Sequence, residues 1–184
     1  MKRMLLFTFA IFTAKAGAAV VTFNQLPGAN GDAFSSYTES GFNITPASGF
    51  WHVAKMFGNP TPDIFSRSQS ASISISSVNN SLFSFAAVDL GYNVASYQID
   101  GYLQAHSLFS QSGIVDAGNI FTSISSQFNL KKIDALKITM QPGMNPSFNI
   151  DNIDVIPEVP VPASILFFVS SIASLFGARR FKII

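Results

Sequence analysis

Short apolar or alternating runs recur along the middle of the chain, separated by Gly, Pro, Asn and Ser. This punctuation predicts strands and turns. Nine stretches fit: Val20–Phe23, Gly41–Thr45, Phe50–Ala54, Ala71–Ser76, Leu82–Leu90, Ala95–Leu103, Ile120–Phe128, Ile133–Met140 and Ser147–Ile156. In the eighth, Ile133, Ala135, Lys137 and Thr139 interleave with Asp134, Leu136, Ile138 and Met140, the period of a strand. In the ninth, the apolar set Phe148 and Ile150 gives way to Ile153 and Val155, which lie on the other parity. Such a switch predicts a β-bulge. No stretch holds a sustained 3.6-residue apolar period, and at most Asp63–Ser68 or Phe34–Glu39 would form a turn of helix. Strands at this spacing predict an all-β body, an antiparallel two-sheet sandwich of jelly-roll type over residues 20–156. Twelve of the 19 Phe fall between residues 20 and 158 and would fill the space between the sheets.

Two terminal segments break this pattern. Lys2 and Arg3 precede the apolar run Met4–Thr13, and Ala14, Ala16, Gly17, Ala18 and Ala19 follow. A basic start, a short apolar core and small residues make a secretory signal peptide over residues 1–19, helical while attached, with cleavage after Ala18 or Ala19. At the other end Val159–Ala178 carries no charge, and Arg179, Arg180 and Lys182 come after it. Ala163–Ala178 would make a helix about 24 Å long, a short membrane span. The trailing basic residues place the end in the cytoplasm and the body outside it.

Composition sharpens this picture. The chain has 184 residues, 48% of them hydrophobic, only 11% charged, and no Cys. A disulfide scaffold, thiolate metal sites and a Cys nucleophile are therefore excluded. All ten Asp and Glu lie between Asp32 and Glu158, a span with five bases, so its formal charge is 5 − 10 = −5. An anionic body argues against nucleic acid as partner.

The tail Val159-Pro160-Val161-Pro162-Ala163, an apolar span and then Arg179-Arg180 resemble the C-terminal sorting signal of PEP-CTERM proteins, in the variant where a VPxPA box replaces Pro-Glu-Pro. The resemblance implies a sorting tail over residues 157–184, recognised by an exosortase, a membrane peptidase. It also implies transient anchoring in the inner membrane and delivery of the body to the cell surface or biofilm matrix. More loosely, Thr22-Phe23-Asn24-Gln25-Leu26, Tyr37-Thr38-Glu39-Ser40-Gly41-Phe42, Phe85-Ala86-Ala87-Val88-Asp89-Leu90 and Phe148-Asn149-Ile150-Asp151-Asn152-Ile153-Asp154-Val155 resemble segments of galactose-binding-like jelly rolls.

Chemistry is sparse. There is no nucleophile elbow, zinc-protease motif, phosphate loop or dinucleotide fingerprint, so neither an enzyme nor a cofactor is expected. A hydrolase would have to draw its acids from Glu39, Asp63, Asp89, Asp100 or Asp116. Calcium takes six to eight oxygen ligands, so Asp151 and Asp154, with Asp32 from the Asn30-Gly31-Asp32 loop, are candidate ligands of one structural ion; the alternative is solvent-facing acids. Ser66, Ser68, Ser70, Ser72, Ser74 and Ser76 share one parity and would line one strand face if a single strand ran that far. A pyranose offers an apolar face and a ring of hydroxyls, which suits an aromatic beside amides. Trp51, His52, Tyr97 and Tyr102 are the candidates, with Trp51 either an exposed platform or a core residue. The expectation is a non-catalytic, surface-displayed module for exopolysaccharide. A purely structural matrix component is the alternative, with a secreted hydrolase third.

Overall fold

A computed structural model describes residues 17–91, 93–115, 118, 120–143 and 147–158. The expected signal peptide, for all but its last three residues, lies outside these. So do the sorting motif (Val159, Pro160, Val161, Pro162, Ala163, Arg179, Arg180), the span 163–178, and Asp116. Among the described residues every named element is a strand: β1 Ala19–Val21, β2 Tyr37–Glu39, β3 Phe42–Ser48, β4 Trp51–Ala54, β5 Asp63–Ser66, β6 Ala71–Ser77, β7 Phe83–Gly91, β8 Ala95–Leu103, β9 His106–Val115, β10 Phe121–Ser125, β11 Ala135–Pro142 and β12 Phe148–Pro157.

They form two antiparallel sheets. Sheet I runs β10-β7-β12-β5-β4, with β1 also on β12; sheet II runs β2-β3-β6-β11-β8-β9. Strand β12 organises sheet I. Its first half pairs with β5, its second with β1, and β7 covers its other edge. Side chains alternate across each strand, so Ile73, Ile75, Ile99, Leu136, Ile138 and Met140 of sheet II point inward and are fully buried. They meet Phe83, Phe85, Val88, Leu90, Phe148 and Ile150 of sheet I, also fully buried. Across the layers Phe42 packs edge-on against Phe83 at 5.1 Å, and burial of this kind contributes about 25 cal/mol per Å² of apolar surface.

The face switch in the last strand is present and explained. Asn152 adopts φ 42°, and the β12–β7 register shifts between Asp151 and Asp154. Strand β7 switches in step, from inward Phe83 and Phe85 to inward Val88 and Leu90.

Other expectations need correction. Asp63–Ser66 and Tyr37–Glu39 are strands, not turns of helix, because β12 and β3 offer them backbone partners. The serine run is not one strand face: Ser66 sits buried in β5 of sheet I, and only Ser72, Ser74 and Ser76 lie together on β6. Of the two readings of Trp51 the structure takes the core one: it is 2% exposed, and its indole N–H donates to the carbonyls of Ser48 and Ser72 at 3.1 Å each, tying β4 to sheet II.

Candidate functional site

The outer face of sheet II is built from residues that alternate with the core set. Register places Thr45, Ser74, Lys137, Asp100 and Ser110 in one row, and Ser72, Thr139, Gln98 and Ser112 in the next. Gln141, Ser96 and Ile114 make a shorter third row. A groove of about 330 Å³ opens over the last two rows, lined by Ser96, Tyr97, Gln98, Ser112, Gly113, Ile114, Thr139 and Gln141.

Hydroxyls and amides dominate this lining, and among the described residues that line it there is no Asp, Glu, Lys, Arg or His, although Asp100 and Lys137 stand in the adjacent row. Gln98 is held in place because its Nε2 donates to both carboxylate oxygens of Asp100, at 2.9 and 3.0 Å. That orientation leaves Gln98 Oε1 as an acceptor for a ligand hydroxyl. Ile114 is 73% exposed and supplies an apolar surface beside these polar groups. Tyr97 is half-buried, and its ring lies over Gly113, where an added Cβ would stand 2.6 Å from the phenol oxygen. Glycine at 113 is thus required by the tyrosine. Such a surface suits a neutral, polyhydroxylated ligand: hydroxyls find donors and acceptors, and an apolar patch finds Ile114.

The outer face of sheet I is also polar but is closed. Asp151 and Asp89 stand opposite one another on β12 and β7. The segment between β4 and β5 covers them: Asn59 N–H donates to Asp151 Oδ2 at 2.6 Å, and Asn59 Nδ2 to Asp89 Oδ2 at 3.2 Å. Asn152 Nδ2 donates hydrogen bonds to Asp89 Oδ2 at 2.9 Å and to the Asn59 carbonyl. Asp63, fully buried, accepts from Asn149 Nδ2 at 2.7 Å through Oδ2, while its Oδ1 has no partner among the described residues. Burial drives the Asp63 carboxyl up to about 8, against the Asn149 bond and with help from the Asp151 charge. Burial likewise raises Asp151 to about 7; the backbone amides of Asn59 and Asn152 oppose this, and Asp89 and Glu39 add to it. Asp154 is raised by burial as well.

The expected site residues do not converge. Trp51 and His52 occupy opposite faces of β4 in sheet I; His52 contacts the Gly31 carbonyl through Nδ1 at 3.1 Å and tilts against Phe65. Tyr97 and Tyr102 are on sheet II, on opposite faces of β8: Tyr97 packs against the core on the inner face and borders the groove only from beneath, and Tyr102, on the outer face, is not among its lining residues. Asp32 accepts from Ala29 N–H at 2.7 Å within its own loop, far from the role assigned with Asp151 and Asp154. Among the described residues, no three His, Asp or Glu side chains gather as metal ligands. Of the acids considered for hydrolysis, Glu39 holds the N–H groups of Thr22 and Phe23, and Asp100 holds Gln98. Sequence reasoning missed Gln98, Ser112, Ile114, Thr139 and Gln141, since β9 was not expected as a strand and β11, which completes the groove, lies some way along the chain from the β8–β9 hairpin.

No protein-family model matches the sequence, and no curated protein matches it either. The fold is similar to that of a DUF4465 family protein from Bacteroides caccae, with TM-score 0.52 and 10% identity, covering 77% of this chain and 100% of that one. It is also similar to a family 29 carbohydrate-binding module from Piromyces equi (TM-score 0.44, 12% identity, 76% of this chain and 90% of that one). A third is the family 32 module of C. perfringens NanJ in complex with galactose (TM-score 0.40, 12% identity, 63% and 97%). Of these three the first exceeds 0.5, and at 10% identity it shows a shared β-sandwich fold alone.

Proposed function

We propose that the body is a non-catalytic module that binds a neutral glycan of the extracellular matrix in the sheet II groove. The observation that carries this is the lining itself: Ser96, Gln98, Ser112, Thr139 and Gln141 offer uncharged donors and acceptors around exposed Ile114. A sugar loses about as many water hydrogen bonds as it regains there, so affinity comes from preorganised groups such as Gln98 and from the apolar contact. A single shallow site of this kind binds at roughly millimolar strength, about 4 kcal/mol. In this reading the N-terminal segment directs export, the Val159–Ala163 box and Arg179-Arg180 present the chain to an exosortase-type peptidase, and the span 163–178 holds it in the inner membrane until transfer to the surface.

The test is a glycan array probed with the full chain. Neutral polysaccharides bind, and Gln98→Ala and Gln141→Ala each weaken binding by roughly five- to tenfold, one hydrogen bond's worth. Absence of binding to every glycan would leave the body a structural matrix component, and binding indifferent to both substitutions would place the site elsewhere.

A further inference from the structure

The two ends of the sandwich differ in what leaves them. Strand β12 runs to one end and closes there at Pro157, and β1, antiparallel to it, starts there, with Ala19 opposite Val155. Both terminal segments therefore join the body at the same end. Phe83, which opens β7, faces Pro157 on one side. On its other side it exchanges backbone hydrogen bonds with Ile133, at 2.8 and 2.9 Å. Neighbouring strands lie about 4.8 Å apart, so Ile133 stands about 10 Å from the last residue of β12.

The loop before Ile133, residues 129–132, carries Leu130, which is 88% exposed, and then Lys131 and Lys132, both exposed. It is held from within. Lys131 N–H donates to the Phe128 carbonyl at 2.9 Å, and Phe128 stacks on Phe109 at 4.9 Å. Val78, in the β6–β7 turn at the same end, is exposed as well. The span Asp32–Glu158 has five bases against ten acids, and Lys131-Lys132 is the one adjacent pair of bases in it. Of the acids at this end, Glu39 is engaged by the N–H groups of Thr22 and Phe23, and Asp134 accepts from Gln104 N–H at 2.7 Å. Glu158 is exposed.

Chain length fixes what this end meets. Five Cα steps separate Glu158 from Ala163, where the expected span begins, and fully extended they reach at most about 18 Å. Headgroups take up roughly 5–7 Å of that distance on each side of the hydrocarbon. A body anchored by residues 163–178 thus keeps the 129–132 loop within reach of lipid headgroups. An exposed Leu beside two lysines suits that surface: the ammonium groups meet phosphate, and the apolar tip settles among headgroups and upper acyl chains.

We propose that the β10–β11 loop, through Leu130, Lys131 and Lys132, docks on the anionic lipid surface of the membrane in which residues 163–178 are anchored. Docking rests on the reading of that span as an anchor and goes beyond it, because a tether alone leaves the body free to tilt. The docked body stands on this end. Ser96, Gln141 and Ile114 of the groove lie toward the other end, where β8 starts and β9 and β11 finish. The groove therefore stays clear of the bilayer and open to a matrix glycan.

The chain has no Cys, so one introduced thiol carries one fluorophore. Full chains with Asn129→Cys, Gln69→Cys or Ser170→Cys are labelled and reconstituted in vesicles that contain spin-labelled lipid. The vesicles are phosphatidylcholine alone or phosphatidylcholine mixed with phosphatidylglycerol. Asn129 borders the lysine pair, Gln69 lies at the opposite end between β5 and β6, and Ser170 falls within the span. In the anionic vesicles the probes at 129 and 170 are quenched, and the probe at 69 is not. Lys131→Ala combined with Lys132→Ala lowers the docked-to-free ratio read at 129 on the order of twentyfold, about fivefold per lysine, and phosphatidylcholine alone has a similar effect. The lipid comparison needs no further substitution, so it holds even where the double variant is unstable. A quenched probe at 170 beside an unquenched probe at 129 would overturn docking and leave the anchor standing. An unquenched probe at 170 would overturn the anchor, and docking with it. Equal quenching at 129 in both kinds of vesicle would reduce the contact to tethering and overturn the recognition of anionic lipid.

Discussion

The two outer faces of this sandwich are both polar, yet they are organised in opposite ways. On sheet I, Asp63, Asp89, Asp151 and Asn149 lie beneath the β4–β5 segment and are 9% exposed or less. Their hydrogen bonds go to Asn59, Asn152 and one another. On sheet II, Ser96, Gln98, Ser112 and Gln141 are exposed, and among the described residues the Gln98–Asp100 contact is the only side-chain hydrogen bond they make. Polar composition therefore does not mark a binding face in this fold. What matters is whether the protein's own groups have already satisfied the donors and acceptors. The sheet I network closes the structure; the sheet II groove is available to a ligand.

Trp51 gives the largest effect that separates these roles. It spans the two sheets at their edge, so Trp51→Ala is expected to destabilise the body by about 3–5 kcal/mol, with a corresponding fall in thermal midpoint. At temperatures where the variant remains folded, glycan binding persists. Loss of binding with an unchanged midpoint would instead make Trp51 a ligand platform.

The buried acids give the next effect. A carboxyl whose folded value is raised holds its proton more tightly when folded than when unfolded, so its contribution to stability is complete below the unfolded value of about 4. That contribution is lost as pH rises toward about 7 for Asp151 and about 8 for Asp63. Stability of the body is therefore expected to fall by a few kcal/mol, roughly, between pH 4 and pH 8, and Asp63→Asn to remove much of the upper part of that fall. Denaturant titrations at several pH values check this. A stability that rises over this window, or an unchanged slope in Asp63→Asn, would refute the closed network.

The smallest stability effect belongs to the groove. Gln98→Ala and Thr139→Ala are expected to move unfolding by less than about 0.5 kcal/mol for the exposed amide and about 1 kcal/mol for the half-buried hydroxyl. Their binding losses exceed this. Gly113→Ala sharpens the point, because the new methyl displaces the Tyr97 ring and disturbs the groove from beneath.

Much of the fold was legible because it is written in local alternation. Strand β8 runs over Ala95–Leu103 as expected, and the bulge at Asn152 follows from the parity switch between Ile150 and Ile153. Strand β9 was missed because its inward positions include Gln111 and Gly113, which tertiary contacts require but which erase the apolar period. Strand β5 was misread because it begins with a buried Asp63 whose partner, Asn149, lies 86 residues away. The groove was illegible in part for the same reason: residues 96–98 and 112–114 face each other across the β8–β9 hairpin, but 139–141 join them only through sheet order.

Amide chemical-shift mapping tests the contrast between the two faces most directly. The full chain, isotopically labelled and held in micelles, is titrated with a neutral oligosaccharide identified on the array. Shifts confined to Ser96–Gln98, Ser112–Ile114 and Thr139–Gln141, with residues 55–62 and Asp151 unmoved, are the result expected. Shifts centred on Asn59, Asp89 and Asp151, with the sheet II groove silent, would contradict it.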